Sequence, residues 1–232
     1  MTDDNRDSVA TSSTDPNCGD PSDGDRDFLW IKVKDFPYTC QEIDTKRRIA
    51  VANGTKGFLT IPTDRVKGIE CGKVLGSYNY WLYAAEKVPA YYTAHPELVG
   101  LGVNSAESRK QDQLHIHMAA FHPEVKEDLG KIKTPVTDPA KWTDPSAIFP
   151  IRGRDPKNGD LVTRNYRVLW LKALDQNLFW LLDQNVARSP DNMKLQTMVS
   201  IPGLNGLWVL NSQGTLPGGN GTGTCDYLLA CR

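Results

Sequence analysis

The sequence predicts an α+β fold built on an antiparallel sheet. Two hairpin signals and the confinement of helical spacing to short segments carry that expectation. RIAVA (48–52) and GFLTIP (57–62) are short apolar runs separated by Asn53-Gly54, and Asn-Gly is the strongest short-range hairpin signal. TMVSI (197–201) and LWVLN (207–211) flank Pro202-Gly203-Leu204-Asn205-Gly206, a turn composition. Helical spacing is seen in YNYWLYAAEKVPAYY (78–92) and EVKEDLGKI (124–132).

Taken in order, residues 1–27 are Asp, Ser, Thr, Asn and Gly with almost nothing to bury, so they are expected to form a disordered polar tail. Order is expected from Phe28, where FLWIKVKDF can begin as a helix or a strand. The first hairpin follows. In the helix over 78–92, Pro89 must end or kink it. LVGLGVN (98–104) reads as a short buried strand. Residues 113–121 read as another strand, ended by His122-Pro123, and 124–132 as a short helix. Residues 133–158, rich in Pro, Asp, Lys and Thr, read as a long surface connection. NYRVLWLKAL (165–174) and LFWLLDQNV (178–186) precede the second hairpin. The tail GTLPGGNGTGTC (214–225) is Gly-rich but lacks Gly-Lys-Ser/Thr, so it is not a phosphate-binding P-loop. No internal repeat is present.

Composition excludes several function classes. Among 232 residues, 27 Lys plus Arg balance 28 Asp plus Glu, which excludes the basic excess of a nucleic-acid binder. No apolar run approaches the ~20 residues that span a bilayer, so no stable membrane insertion is expected. No charged-then-apolar start marks a secretory signal, so the chain is expected to be cytoplasmic, or secreted or periplasmic if a leader has been removed. The five cysteines contain no C-x-x-C and are expected as free thiols, with one long-range bridge as the alternative. Trp81, Trp142, Trp170, Trp180 and Trp208 are expected in the core or lining a cleft.

The stretch QDQLHIHMAAF (111–121) carries two of the four histidines. Strand alternation places His115, His117, Ala119 and Phe121 on one face, and Leu114, Ile116, Met118 and Ala120 on the other, apolar one. Spacing alone allows a structural pair, a metal site completed by His122 or a remote carboxylate, or a nucleophilic imidazole with a helper. The context favours the last. Asn104 ends the preceding apolar run, and SAESRKQDQ follows with two basic residues, Arg109 and Lys110, and two glutamines, Gln111 and Gln113. These are donors for phosphate rather than ligands for a metal.

GVNSAESRKQDQLHIHMAAFHPEVK (102–126) strongly resembles the signature stretch of CDP-diacylglycerol pyrophosphatases, members of the histidine-triad (HIT-like) superfamily. GFLTIPTDRVKGIE (57–70), with Asn79, Tyr80 and Trp81 after it, and YTCQEID (38–44) are similar to the same family. The likeness is looser through LFWLLDQNV, QTMVSI, LWVLNS and TCDYLL, and covers roughly 28–232. It implies a HIT-like antiparallel sheet with flanking helices, in one arrangement as two lobes: a catalytic lobe over 28–132, a connection over 133–158 and a second lobe over 159–232. It implies cleavage of the pyrophosphate of CDP-diacylglycerol to CMP and phosphatidate through a nucleotidyl-histidine intermediate, without metal or cofactor. His117 is then the nucleophile and His115 its support. Asn104, Gln111, Gln113, Arg65 and Lys110 form the substrate-binding set. The partner is a small nucleotide or lipid-nucleotide, and a homodimer is allowed. Ala119, Ala120 and His122 depart from the family pattern of a small polar residue or His, Cys and Arg. Those two alanines motivate an alternative, the same scaffold used as a cofactor-free isomerase or cyclase, or as a binding protein, with His115 and His117 as acid and base. Cys40 and Cys225 stand at family-like positions, which in a secreted setting implies a disulfide between them.

Overall fold

The apolar runs come together as strands of one antiparallel sheet in a computed structural model that describes residues 18–19 and 25–230. The strands are β1 (Glu42–Asp44), β2 (Ile49–Asn53), β3 (Phe58–Pro62), β4 (Val99–Val103), β5 (Ile116–Ala120), β6 (Ile148–Arg154), β7 (Leu161–Leu171), β8 (Gln196–Gly203) and β9 (Gly206–Gln213). Their order among the described residues is β1-β2-β3-β5-β4-β8-β9-β7-β6. The helices are α1 (Phe28–Asp35), α2 (Tyr80–Tyr91), α3 (Pro123–Gly130), α4 (Leu178–Leu182) and α5 (Pro190–Met193). The expected α+β class and both hairpins are present. The halves before and after residue 132 share the sheet, joined where Leu101 to Val103 of β4 pair with Ser200 to Met198 of β8.

Local chemistry explains each turn that matters to the site. Asn53 pairs with Phe58, so the β2–β3 loop holds four residues, 54–57. Gly57 has φ +149, and a Cβ there would lie 2.3 Å from the Tyr92 hydroxyl and 2.4 Å from the Met118 carbonyl oxygen, so only glycine fits. The β8–β9 loop is Leu204-Asn205, with Asn205 left-handed at φ +61. Asn79 caps α2 by accepting the Leu82 N–H at 3.2 Å. Pro89 neither stops α2 nor stands far from its end: the helix continues two residues, to Tyr91.

The two faces of the sheet carry separate cores. Ile116 and Met118 of β5 point into the first, with Trp81 of α2 and Phe179 of α4, whose rings lie 5.4 Å apart. Ala119 and Phe121 point into the second, with Val125 and Leu129 of α3, Ile201, Cys225 and Leu228. On that same second face, α1 lays Leu29 and Val33 over Ala50, Ala52, Leu59 and Ile61. Burying one such aliphatic side chain contributes about 1.5–3 kcal/mol, so these clusters, not helix propensity, hold the short α1 and α3 in place.

Five expectations need correction. Cys18 is buried and bridged to Cys71, with Cα atoms 4.4 Å apart, and Asp25–Asp27 form a 3₁₀ turn. The disordered tail to Asp27 therefore does not hold at these residues; 1–17 and 20–24 lie outside the described ones. The cysteines are thus not all free thiols, since one long-range bridge forms. Cys40 and Cys225, in contrast, are both free. Cys40 leads into edge strand β1 and Cys225 packs on Gly102 of β4, four strand spacings away, roughly 20 Å and beyond the ~7 Å reach of a disulfide; Cys231 lies outside the described residues. The 133–158 connection contains β6, an edge strand on which Pro150 is tolerated because one side of the strand is unpaired. Trp81 and Trp142 are core residues as expected, whereas Trp180 is 46% exposed on α4 because its neighbours Leu178, Phe179, Leu181 and Leu182 take the buried positions.

Candidate active site

His117 stands at the middle of β5, opposite Leu59 of β3 on one side and Gly102 of β4 on the other. It therefore faces the gap between the α1 cover and the C-terminal segment. Gly102 makes that gap possible. A Cβ at residue 102 would lie 2.8 Å from the Cys225 Cβ and 3.0 Å from its sulfur, so the missing side chain is what lets Cys225 come down onto the sheet beside His117.

The end of β4 fixes this C-terminal segment. The Asn104 carboxamide oxygen accepts the Cys225 N–H at 2.8 Å and the Thr224 hydroxyl at 2.9 Å. The Ser105 N–H donates to the Gly223 carbonyl at 2.8 Å. The Asn104 amide nitrogen makes no hydrogen bond among the described residues. The outcome is a cluster in which a ring nitrogen of His117, the Cys225 sulfur and an Asp226 carboxylate oxygen all lie within 4.8 Å of one another. Lys56, from the β2–β3 loop, pairs with Asp226 at 3.3 Å.

His115 precedes β5, and its ring centroid is 5.0 Å from that of His117 in an edge-to-face arrangement. Its Nδ1 lies 2.8 Å from the Gln113 carbonyl oxygen. A carbonyl only accepts, so Nδ1 carries the proton and Nε2 keeps its lone pair. Burial lowers the pKa of both imidazoles. For His117 burial is the largest cause, the charge of His115 the next, with Asp226 opposing and Lys56 adding a little. For His115 burial again leads, the Gln113 hydrogen bond opposing it. Burial raises the Cys225 thiol well above its usual range, so it is a neutral S–H. At neutral pH the cluster therefore presents two uncharged imidazoles. The Nε2 of His117 is buried with no hydrogen-bond partner, and a buried unpaired polar atom costs on the order of 1–3 kcal/mol.

The sequence-derived candidates divide. His115, His117 and Asn104 meet here. Gln113 is fully buried and its carboxamide is consumed: it donates to the Pro62 and Asp64 carbonyls at 2.9 and 2.6 Å and accepts the Val66 N–H at 3.2 Å. It sets His115 through its backbone carbonyl. Gln111 accepts the Leu29 N–H at 3.1 Å at the start of α1. Arg65 pairs with the buried Asp27. Arg109 forks onto Glu70 at 2.8 and 2.5 Å and reaches Asp112 at 3.3 Å. Lys110 is exposed on the loop. His122 opens α3, half-buried and outside the three-residue cluster, its pKa lowered by burial against the pull of Glu124. Ala119 packs into the second core, and Ala120 faces away from His117 and is exposed, so Ala120 does not line the site.

Lys56, Cys225 and Asp226 were missed. Lys56 is remote in sequence from the histidines and is delivered by a hairpin loop. TCDYLL was visible as a looser family match, but nothing local said that it returns to β4. An apolar cavity of about 290 Å³, bordered by Val88, Val99, Leu101 and Leu207, opens on the opposite face of the sheet from His117. Among the described residues, no helix is long and apolar enough to cross a membrane.

Residues 29–226 match the model of a family described as CDP-diacylglycerol pyrophosphatase. The chain is also similar to a Yersinia pestis protein named CDP-diacylglycerol pyrophosphatase, 32% identical over 109 residues. That alignment covers 43% of this chain and 42% of the relative, less than half of either.

Proposed function

The chain belongs to the CDP-diacylglycerol pyrophosphatase family, and from that premise we propose that it hydrolyses the pyrophosphate of a CDP-diacylglycerol-like nucleotide, with His117 as a HIT-type nucleophile. The observation that carries the reading is the buried Nε2 of His117, which has no hydrogen-bond partner, on a ring set 5.0 Å from a second imidazole whose Nδ1 is tied to the Gln113 carbonyl.

In the first step a ring nitrogen of His117 attacks the phosphorus bearing the cytidine. The P–N bond forms as the P–O bond to the bridging oxygen breaks, and phosphatidate departs with the bridging oxygen's electron pair. In the second step water attacks the same phosphorus, the P–N bond breaks and CMP is released. His115 takes the proton from the water through Nε2, the nitrogen its Gln113 hydrogen bond leaves free. The Asn104 amide N–H groups and Lys56 hold the phosphoryl oxygens, Lys56 exchanging Asp226 for phosphate, and exposed Lys110 meets the outer phosphate. Gln111, Gln113 and Arg65 position the strands and helix around this centre rather than touching substrate. Burial supports the reading, because donors around a developing charge act more strongly where water is excluded.

The test is a substrate panel. CDP-diacylglycerol, CDP-alcohols and dinucleotides are incubated with the chain and watched for CMP or AMP. CMP release fastest from the CDP-linked lipid is expected. No nucleotide from any of them would overturn the proposal and favour the acid–base or binding alternative.

A further inference from the structure

Beyond hydrolysis, we infer that His117, Cys225 and Asp226 form a site for a borderline divalent cation, Zn²⁺ above all, and that its occupation blocks His117. The donor set carries the inference. One imidazole nitrogen, one thiol sulfur and one carboxylate oxygen converge within 4.8 Å. Nitrogen, sulfur and oxygen together are the ligands of zinc, whereas Mg²⁺ and Ca²⁺ take oxygen alone. Zinc bonds of ~2.0–2.3 Å hold tetrahedral ligand atoms roughly 3.3–3.8 Å apart, so each group here needs to move on the order of an ångström or less.

A second, independent observation points the same way. The Nε2 of His117 is buried and has no hydrogen-bond partner. Cys225 is held by the Asn104 carboxamide rather than by its sulfur, and its sulfur stands 3.9 Å from an Asp226 oxygen. Three side chains thus reach the cation without loss of the segment's anchors. Half-buried Asp226 opens the fourth coordination position to water.

Binding has a defined balance. The Cys225 thiol loses its proton to solvent and binds as thiolate, the Asp226–Lys56 pair separates, and the lone pair of His117 is taken. The inhibitory half of the inference rests on His117 being the nucleophile; the binding half does not.

The test uses the intact chain titrated with ZnCl₂ and, as a spectroscopic probe, CoCl₂. One equivalent is expected to bind, with a thiolate-to-cobalt absorption band. Cys225→Ser should abolish that band, and Cys225→Ser and Asp226→Asn should each weaken zinc binding about tenfold or more. Lys56→Met should tighten it by freeing Asp226. Zinc should slow nucleotide release reversibly, and relative to its own zinc-free rate Cys225→Ser should need about tenfold more zinc for half inhibition. Affinity unchanged in both ligand variants, or no cobalt–thiolate band, would overturn the site. Half-exposed Asp226 keeps the test decisive if Cys225→Ser fails to fold. Zinc bound as described by a chain that releases no nucleotide would uphold the site while removing the hydrolase reading.

Discussion

The side-chain carbonyl of Asn104 accepts the backbone N–H of Cys225 at 2.8 Å, bridging 121 residues of sequence. One atom thereby joins the end of β4 to the segment that carries Cys225 and Asp226, while the amide nitrogen of the same side chain makes no hydrogen bond among the described residues. If Asn104 binds substrate as proposed, its structural and binding roles are separable by substitution. Asn104→Asp keeps the acceptor, loses the donor and adds a negative charge. It should retain the fold, with thermal unfolding near that of the parent, and lose about tenfold or more in kcat/KM toward an anionic substrate. Asn104→Ala removes both and should also destabilise by about 1–3 kcal/mol, since a buried N–H loses its acceptor. Equal losses of activity and stability in both variants would contradict the division.

The two imidazoles give a pH dependence of known sign. Burial lowers both below the ordinary value near ~6.5. Protonation would silence the proposed nucleophile, so kcat/KM should hold as pH falls through ~6.5, its acid limb displaced to lower pH. For stability, the unfolded chain binds the proton that the folded chain refuses. The contribution is complete above the unfolded value and is lost as pH falls from there toward the lower folded value. Between pH 7 and 5, urea unfolding of the native chain should lose about 1–2 kcal/mol more than that of His117→Asn. Lys56 and Asp226 face the ring and pull in opposite directions, so they reduce rather than reverse the effect.

The Cys18–Cys71 bridge closes a loop over a sequence separation of 53. Chain entropy gives such a closure about 4 kcal/mol. The Cys18→Ser, Cys71→Ser double variant should therefore unfold with about 2–4 kcal/mol less stability. Thiol mapping of the unreduced, denatured chain should find Cys40 and Cys225 free and Cys18 and Cys71 blocked. Five free thiols would contradict the bridge.

Period-two alternation was enough to put His115 and His117 on one face, because a strand leaves no other choice. Asn-Gly and the Pro-Gly-Leu-Asn-Gly turn were enough for both hairpins. What local pattern cannot carry is where a loop's donors are spent. Gln113 looks like a phosphate ligand from its neighbours, yet three hydrogen bonds to the 62–66 segment consume its carboxamide. Arg109 likewise looks free for an anion until Glu70, 39 residues away, takes it. Cys225 and Asp226 reach His117 only because Gly102 leaves room, a pairing across more than a hundred residues that no spacing encodes.

The most direct measurement is of the covalent intermediate on His117. The chain is mixed with a CDP-linked lipid, quenched within a turnover at alkaline pH to protect the P–N bond, and mapped by peptide mass. One cytidylyl group is expected on the peptide containing His117, forming and decaying at the rate of turnover, and absent from His117→Ala, which is expected to fold normally and to be inactive. Nucleotide release by His117→Ala at more than a few per cent of the native rate, or turnover of the native chain with no adduct on that peptide, would contradict it.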